Sequence, residues 1–171
     1  TEGLRLVLRR TVSVRGRVTG VGEALSEVSV DARPGRTNWR AKRDGTFVIE
    51  DLRPDATFRL VLRHDLFKTL VLEDLTPWEG VREFALEKGR VVTGTVVDEQ
   101  GAPLEGMSVD VRTKGHEDAR IVESDARGRF VAGGLEEGPT IVRLGTNRGY
   151  GFVEEREIRA GVDGCELVAR K

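Results

Sequence analysis

The stretch Val92-Thr93-Gly94-Thr95-Val96-Val97-Asp98-Glu99-Gln100-Gly101-Ala102-Pro103-Leu104-Glu105-Gly106-Met107-Ser108-Val109 decides the fold. It reads as strand, turn, strand. Apolar and polar residues alternate from Val92 to Val96, the two-residue period of a half-buried strand. Gly101 supplies a tight turn, and Pro103 fixes φ at a sheet edge. The same grammar continues through Ser124-Asp125-Ala126-Arg127-Gly128-Arg129-Phe130 and Gly134-Leu135-Glu136-Glu137-Gly138. Leu104, Val109, Phe130 and Leu135 are expected to point into a core, with Gly128 forming a second tight turn.

Working outward, the pattern has already occurred once. Val14-Arg15-Gly16-Arg17-Val18 returns as Val92-Thr93-Gly94-Thr95-Val96, and Ser29-Val30-Asp31-Ala32-Arg33 returns as Ser108-Val109-Asp110-Val111-Arg112. Asp44-Gly45-Thr46-Phe47-Val48 matches Arg127-Gly128-Arg129-Phe130-Val131, and Leu52 matches Leu135. Four matches in one order, at offsets drifting from 78 to 83 residues, predict two tandem copies whose loops differ while their strands are kept. In the first copy Phe58, Leu60 and Leu62 alternate with Arg59 and Val61. Gly20-Val21-Gly22, Pro34-Gly35, Asp44-Gly45 and Pro54-Asp55 punctuate the runs. Asp44-Gly45 is a hairpin signal because both residues tolerate positive φ. Short strands at this spacing predict β-sandwiches.

The apolar strand Leu4-Arg5-Leu6-Val7-Leu8 lines up with Glu83-Phe84-Ala85-Leu86, so the first residues read as the last strand of a preceding copy. The predicted organisation is residues 1–10 as that strand or its remnant, 11–89 as the first sandwich and 90–171 as the second. The link Lys88-Gly89-Arg90 is too short for a flexible tether, and a restricted angle between the copies is expected. An opening at Thr1 without a charged-then-apolar leader is what a segment of a longer protein would show.

Composition narrows the function. The 171 residues carry 28 basic and 29 acidic groups, a net charge of -1, without the basic excess of a dedicated nucleic-acid binder. Hydrophobic residues make up 38%, enough for a buried core, while only 5% are aromatic and 21 are glycine, which suits thin, turn-rich layers. The single cysteine, Cys165, allows neither an internal disulfide nor a cysteine zinc cage and reads as a small core residue. No apolar run approaches the ~20 residues of a membrane helix.

The second copy resembles the carboxypeptidase regulatory-like domain, of the transthyretin-like or prealbumin-like sandwich class. The carriers are the G-x-V strand at Gly94, the D-x-x-G-x-P-L-x-G hairpin from Asp98 to Gly106, Ser124-Asp125 through Phe130, and Leu135-Glu136-Glu137-Gly138. Met107 replaces a usual Ala, and Thr140-Ile141 stand where Tyr-type residues are usual. The first copy is more worn: Gly20 to Leu25 lacks the Pro, and Lys42 stands where Asp is usual. The resemblance implies two tandem immunoglobulin-like or prealbumin-like all-β sandwiches. It further implies spacer, surface-display or adhesion units, or accessories to a secreted enzyme, in an extracytoplasmic setting.

Enzymes on related sandwiches set requirements that this sequence does not meet. A hydroxyisourate hydrolase needs several His and Arg groups and a Tyr-Arg-Gly-Ser-like C-terminus, whereas this sequence ends Leu167-Val168-Ala169-Arg170-Lys171. An intradiol dioxygenase needs two Tyr and two His around iron, and the only tyrosine is Tyr150. His64-Asp65 could pair a base with an orienting carboxylate, but strand neighbours face opposite ways, so a solvated loop is expected. No Ser sits in a Gly-x-Ser-x-Gly elbow. Asp98-Glu99, Glu154-Glu155-Glu157 and Asp163-Gly164 lack the convergent Asp-x-Asp-x-Asp spacing of a calcium loop. A Lys–Asn isopeptide cross-link, known in related surface proteins, finds no Lys on the first strands, and Asn38 and Asn147 lie in the middle regions.

No catalytic residue, metal site or cofactor is therefore expected. The sequence is read as a non-enzymatic structural or interaction module of a larger bacterial extracytoplasmic protein, partnered by the other domains of its parent chain. The first alternative is a polysaccharide-binding module, stacking sugar faces on exposed aromatics, with Trp78, Tyr150 and Trp39 as candidates. Trp78 follows Pro77 in a loop, Tyr150 lies between two glycines, and Trp39 matches Val122 of the second copy. The second alternative is docking to a surface protein through the edge strand Leu4–Leu8.

Overall fold

The structure is a computed structural model, and it describes residues 10–20, 27–33, 38–116, 118–145, 155–159, 161 and 164–170, with the side chains of Asn38 and Trp39 left out. The fold is all-β. By contacts the chain divides into unit 1, Thr1–Arg63 with Leu70–Leu86, and unit 2, His64–Thr69 with Glu87–Lys171. Residues 1–9, which include Leu4–Leu8, lie outside the described set.

The first seven strands are β1 (Val12–Thr19), β2 (Ser29–Arg33), β3 (Asn38–Arg40), β4 (Thr46–Leu52), β5 (Phe58–His64), β6 (Phe67–Leu75) and β7 (Val81–Ala85). They form a three-stranded sheet ordered β4-β1-β7 and a four-stranded sheet ordered β3-β2-β5-β6. The strand β1 pairs antiparallel with β4 and parallel with β7. Alternation works as expected on β1, where Val14 and Val18 are buried and Arg15 and Arg17 are exposed. Val28, Val30, Ala32, Phe47, Ile49, Phe58, Leu60, Leu62 and Phe84 are among the other buried residues.

The next seven strands repeat the plan: β8 (Arg90–Asp98), β9 (Ser108–Thr113), β10 (Ala119–Glu123), β11 (Arg129–Leu135), β12 (Pro139–Leu144), β13 (Glu155–Arg159) and β14 (Cys165–Ala169). Their sheets are ordered β11-β8-β14 and β10-β9-β12-β13, with β14 parallel to β8. Each strand of the first seven thus has a counterpart seven places later with the same neighbours. Val92, Val96, Met107, Val109, Val111, Phe130, Leu135, Val142, Leu144 and Leu167 form the core, with Leu104 and Val122 packed against it. Cys165 is buried in that cluster, as a small core residue should be.

Three local expectations need correction. Val61, read as an outward position, is 3% exposed, because β5 is buried on both faces through Leu60, Val61 and Leu62. Of Asp44 and Gly45, only Gly45 takes positive φ (77°): its N–H closes a four-residue turn onto the Lys42 carbonyl at 2.8 Å. His64 is not solvated. It is 3% exposed, and its Nδ1 accepts the Leu66 N–H at 3.0 Å. The two-residue strand period carries an end residue inward as readily as a middle one.

Edges are unevenly protected. The outer strand β13 reads Glu155-Arg156-Glu157-Ile158-Arg159, a charged edge that discourages further pairing. The outer strand β10 instead presents Ile121, 71% exposed.

Candidate functional site

The polar residues that stand out in the second copy are bonded to the backbone of their own turns. Asp98 Oδ1 accepts the N–H of Gln100 at 2.9 Å and of Ala102 at 2.8 Å, while Gly101 N–H donates to the Asp98 carbonyl at 3.0 Å. Asp125 does the same one hairpin later. Its Oδ1 accepts from Arg127 N at 2.9 Å and Arg129 N at 2.8 Å, and Gly128 N–H donates to its carbonyl at 2.8 Å. Gly101 and Gly128 both take positive φ. The Arg129 backbone N–H holds the Asp125 carboxyl below the usual carboxylate range, aided by Arg127 N–H and the Arg129 charge.

In the first copy Lys42 occupies the Asp125 position. The backbone turn survives, and the carboxylate moves two residues on. Asp44 Oδ1 accepts the Thr46 hydroxyl at 2.7 Å and the Thr46 N–H at 3.0 Å, which lowers its carboxyl from the ordinary value.

Ser124 is buried and ties the β8–β9 connection to the residue after β10. Its Oγ donates to the Leu104 carbonyl at 2.6 Å and accepts the Met107 N–H at 2.9 Å. These bonds give Asp98, Ser124 and Asp125 conformational work, the same work in each hairpin. Among the described residues no group of three or more His, Cys, Asp or Glu is placed to hold a metal ion.

Of the three aromatic candidates, Trp78 is the one whose side chain lies among the described residues. Trp78, in the β6–β7 loop, is half-buried in unit 1. Its Nε1–H donates to the Arg15 carbonyl at 2.9 Å, and its ring stacks on Phe58 with centroids 5.8 Å apart and planes 27° apart. Phe84 meets it edge-on at 5.8 Å, and the Arg82 guanidinium lies 5.6 Å from the ring centroid. Beside it a cleft of about 480 Å³ is lined by Val12, Ser13, Arg15, Pro54, Pro77 and Glu79. Trp39 lies on β3, paired with Val30 of β2. Tyr150 lies outside the described residues.

Sequence reasoning passed over Arg120, Thr69 and Asp118. Arg120 is one arginine in an arginine-rich chain, and nothing in its neighbours marks a guanidinium only 12% exposed. Only the Gly133-Gly134 pair beside Leu135, unexplained by any turn rule, could have drawn attention to that region.

Residues 91–164 match the carboxypeptidase regulatory-like domain. No curated protein matches the chain. Among solved structures, the chain is similar to a streptococcal ancillary pilin at 14% identity and TM-score 0.39, covering 93% of this chain and 62% of that one. It therefore spans less than two thirds of the pilin's length. A shaft pilin of Lactobacillus rhamnosus GG is similar at 10% identity and TM-score 0.45, covering 94% and 98% of the two chains. A 5-hydroxyisourate hydrolase of Klebsiella pneumoniae is similar over 46% of this chain and 81% of its own, at 15% identity and TM-score 0.35. At these scores neither pilus assembly nor hydrolysis transfers to this chain.

Proposed function

We propose that the chain is a pair of non-enzymatic β-sandwich modules within a larger bacterial extracytoplasmic protein, serving as spacer, display or adhesion units. The observation that carries this reading is the commitment of Asp44, Asp98, Ser124 and Asp125 to backbone groups of their own hairpins. These carboxylates and this hydroxyl shape turns. The match of residues 91–164 to a regulatory-like domain supports the same view. A spacer acts through length and orientation, so its surface chemistry is replaceable. Exchanging residues 11–171 in the parent protein for an unrelated sandwich pair of equal length should then preserve the parent's activity. Loss of activity with a folded replacement would reject the spacer role.

The cleft beside Trp78 favours a second reading, recognition of a neutral polysaccharide. Pro54, Pro77 and the indole ring offer apolar surface, and Arg15 and Glu79 offer polar groups for hydroxyls. The indole N–H already serves Arg15, so a sugar would use the ring face. Tryptophan fluorescence during titration with soluble polysaccharides, with and without calcium, separates the readings. A saturable shift with one glycan class, lost in a folded Trp78→Ala variant, supports the polysaccharide site, with Tyr150→Ala and Trp39→Ala as parallel tests. A flat response leaves the structural module. Docking to a surface protein through Leu4–Leu8 is tested by deleting residues 1–10: unchanged partner capture rejects it.

A further inference from the structure

Unit 2 is discontinuous in sequence. Besides Glu87–Lys171 it contains His64–Thr69, the tip of the β5–β6 hairpin, so the chain changes unit after residues 63, 69 and 86. The tip is bound at both its backbone and its side chains. Gly89 N–H donates to the Leu66 carbonyl at 3.0 Å, and Lys68 N–H donates to the Glu87 carbonyl at 2.9 Å. Phe67 is buried edge-on against His64 with centroids 4.9 Å apart. The Arg120 guanidinium donates to the Phe67 carbonyl at 2.9 Å, the Thr69 hydroxyl oxygen at 3.1 Å and the Gly134 carbonyl at 3.3 Å. The Thr69 hydroxyl in turn donates to the Asp118 carboxylate.

Two glycines make this approach possible. A Cβ on Gly133 would lie 2.5 Å from the Asp65 carbonyl oxygen, and one on Gly134 would run into the Phe67 carbonyl oxygen. Gly134 sits at a β-bulge with φ 69°, where register shifts between Ala132 and Leu135. The bulge does not itself require glycine. Its counterpart in unit 1, 83 residues earlier, is Asp51, which holds φ 58°. Positions equivalent to Arg120, Gly133 and Gly134 in the first copy are Thr37, Glu50 and Asp51. The bare pair answers the tip's carbonyls, and the arginine supplies the donors those carbonyls need.

We infer that Arg120, Gly133 and Gly134 form a receptor for the hairpin tip His64–Thr69, which makes the second sandwich an acceptor domain completed by an upstream segment. The receptor is a property of this copy alone, encoded at three positions where the first copy carries side chains that would block or fail to bind a tip. It holds whether the modules act as spacers or as binding units.

Hydrogen exchange on the full chain tests it, comparing the natural protein with a Gly133→Glu/Gly134→Asp double variant. The first copy's bulge already accommodates Glu50 and Asp51, so the exchange of residues suits the strand geometry. Loss of the docked state should speed exchange at the Lys68 and Gly89 amides at least about tenfold, while Val96 in the core keeps its protection. Arg120→Thr should act in the same direction. If Val96 protection is also lost, Gly133→Ala decides, since it adds one methyl at ordinary φ and meets only the tip. Tip amides that exchange as an open loop in the natural chain, or that stay protected in the variants, would overturn the receptor.

Discussion

The phenyl ring of Phe130 lies over Gly94, so that a Cβ on Gly94 would fall 2.5 Å from the ring's Cζ. Phe130 and Gly94 are direct partners across the β11–β8 pair, and Phe47 covers Gly16 in the same way across β4–β1. The ring occupies the space that a side chain on the facing strand would need, and each pair seals one sandwich core.

Gly94→Ala, whose Cβ would run into the Cys165 carbonyl oxygen as well as the ring, should therefore destabilise unit 2 by about 1–3 kcal/mol through overpacking. Phe130→Ala, which empties the same space, should cost about 3–5 kcal/mol. Urea unfolding measures both, and a Gly94→Ala midpoint equal to that of the natural protein contradicts the packing assigned here.

Removing the Ser124 hydroxyl leaves the Leu104 carbonyl without its 2.6 Å donor and Met107 N–H without its 2.9 Å acceptor. Ser124→Ala should lower stability by about 1–3 kcal/mol, the cost of buried groups left unsatisfied. The first copy carries Ala41 at this position, so Ala41→Ser should bring no comparable gain.

Acid should loosen the turns built on Asp44 and Asp125. Asp44 and Asp125 have folded-state pKa values below their unfolded ones, so each stabilises fully above the ordinary carboxylate pKa of ~3.9. That contribution falls away as pH drops through the lowered folded value. Asp125→Asn should flatten the acid limb of a pH–stability curve and leave the neutral-to-alkaline slope alone. An unaltered acid limb in both Asp125→Asn and Asp44→Asn would show that the turns do not hold the charged form.

At the alkaline end the group to watch is Lys68. Its ammonium lies 3.1 Å from Glu136 and 3.2 Å from Glu87, and Glu136 first, then Glu87, raise its pKa above the ordinary value. Stability from this trio is present below the unfolded lysine pKa of ~10.4 and is lost as pH rises through the higher folded value. Lys68→Met should remove that alkaline loss. Because the trio is partly open to solvent, high salt should shrink the difference between the two proteins.

Much of the fold was legible because a sandwich strand announces itself locally. The two-residue period of Val14 to Val18 and Val92 to Val96, the glycines at Gly45, Gly101 and Gly128, and the four motif matches of the twofold repeat each report backbone geometry within a few residues. What escaped that reading depends on a distant partner. His64 reads as a loop histidine, and only the packed fold leaves it 3% exposed. Trp78 reads as a lone loop aromatic until Phe58, Phe84 and Arg15 close around it.

Asp125 and Asp44 mark the boundary between the two kinds of information. Sequence alone determined the all-β class, the tandem copies and the turn positions, since strand period and turn chemistry are properties of neighbouring residues. Lys42 in place of Asp looked like decay of the motif, yet Asp44 takes over the turn through Thr46, two residues on, a local contact that the neighbouring residues themselves encode. Tertiary structure alone decided that Gly133 and Gly134 had to be bare and that Arg120 had to be buried. The groups that impose those requirements, the carbonyls of Asp65 and Phe67, lie more than 50 residues away in the chain and come within reach only when the sheets close.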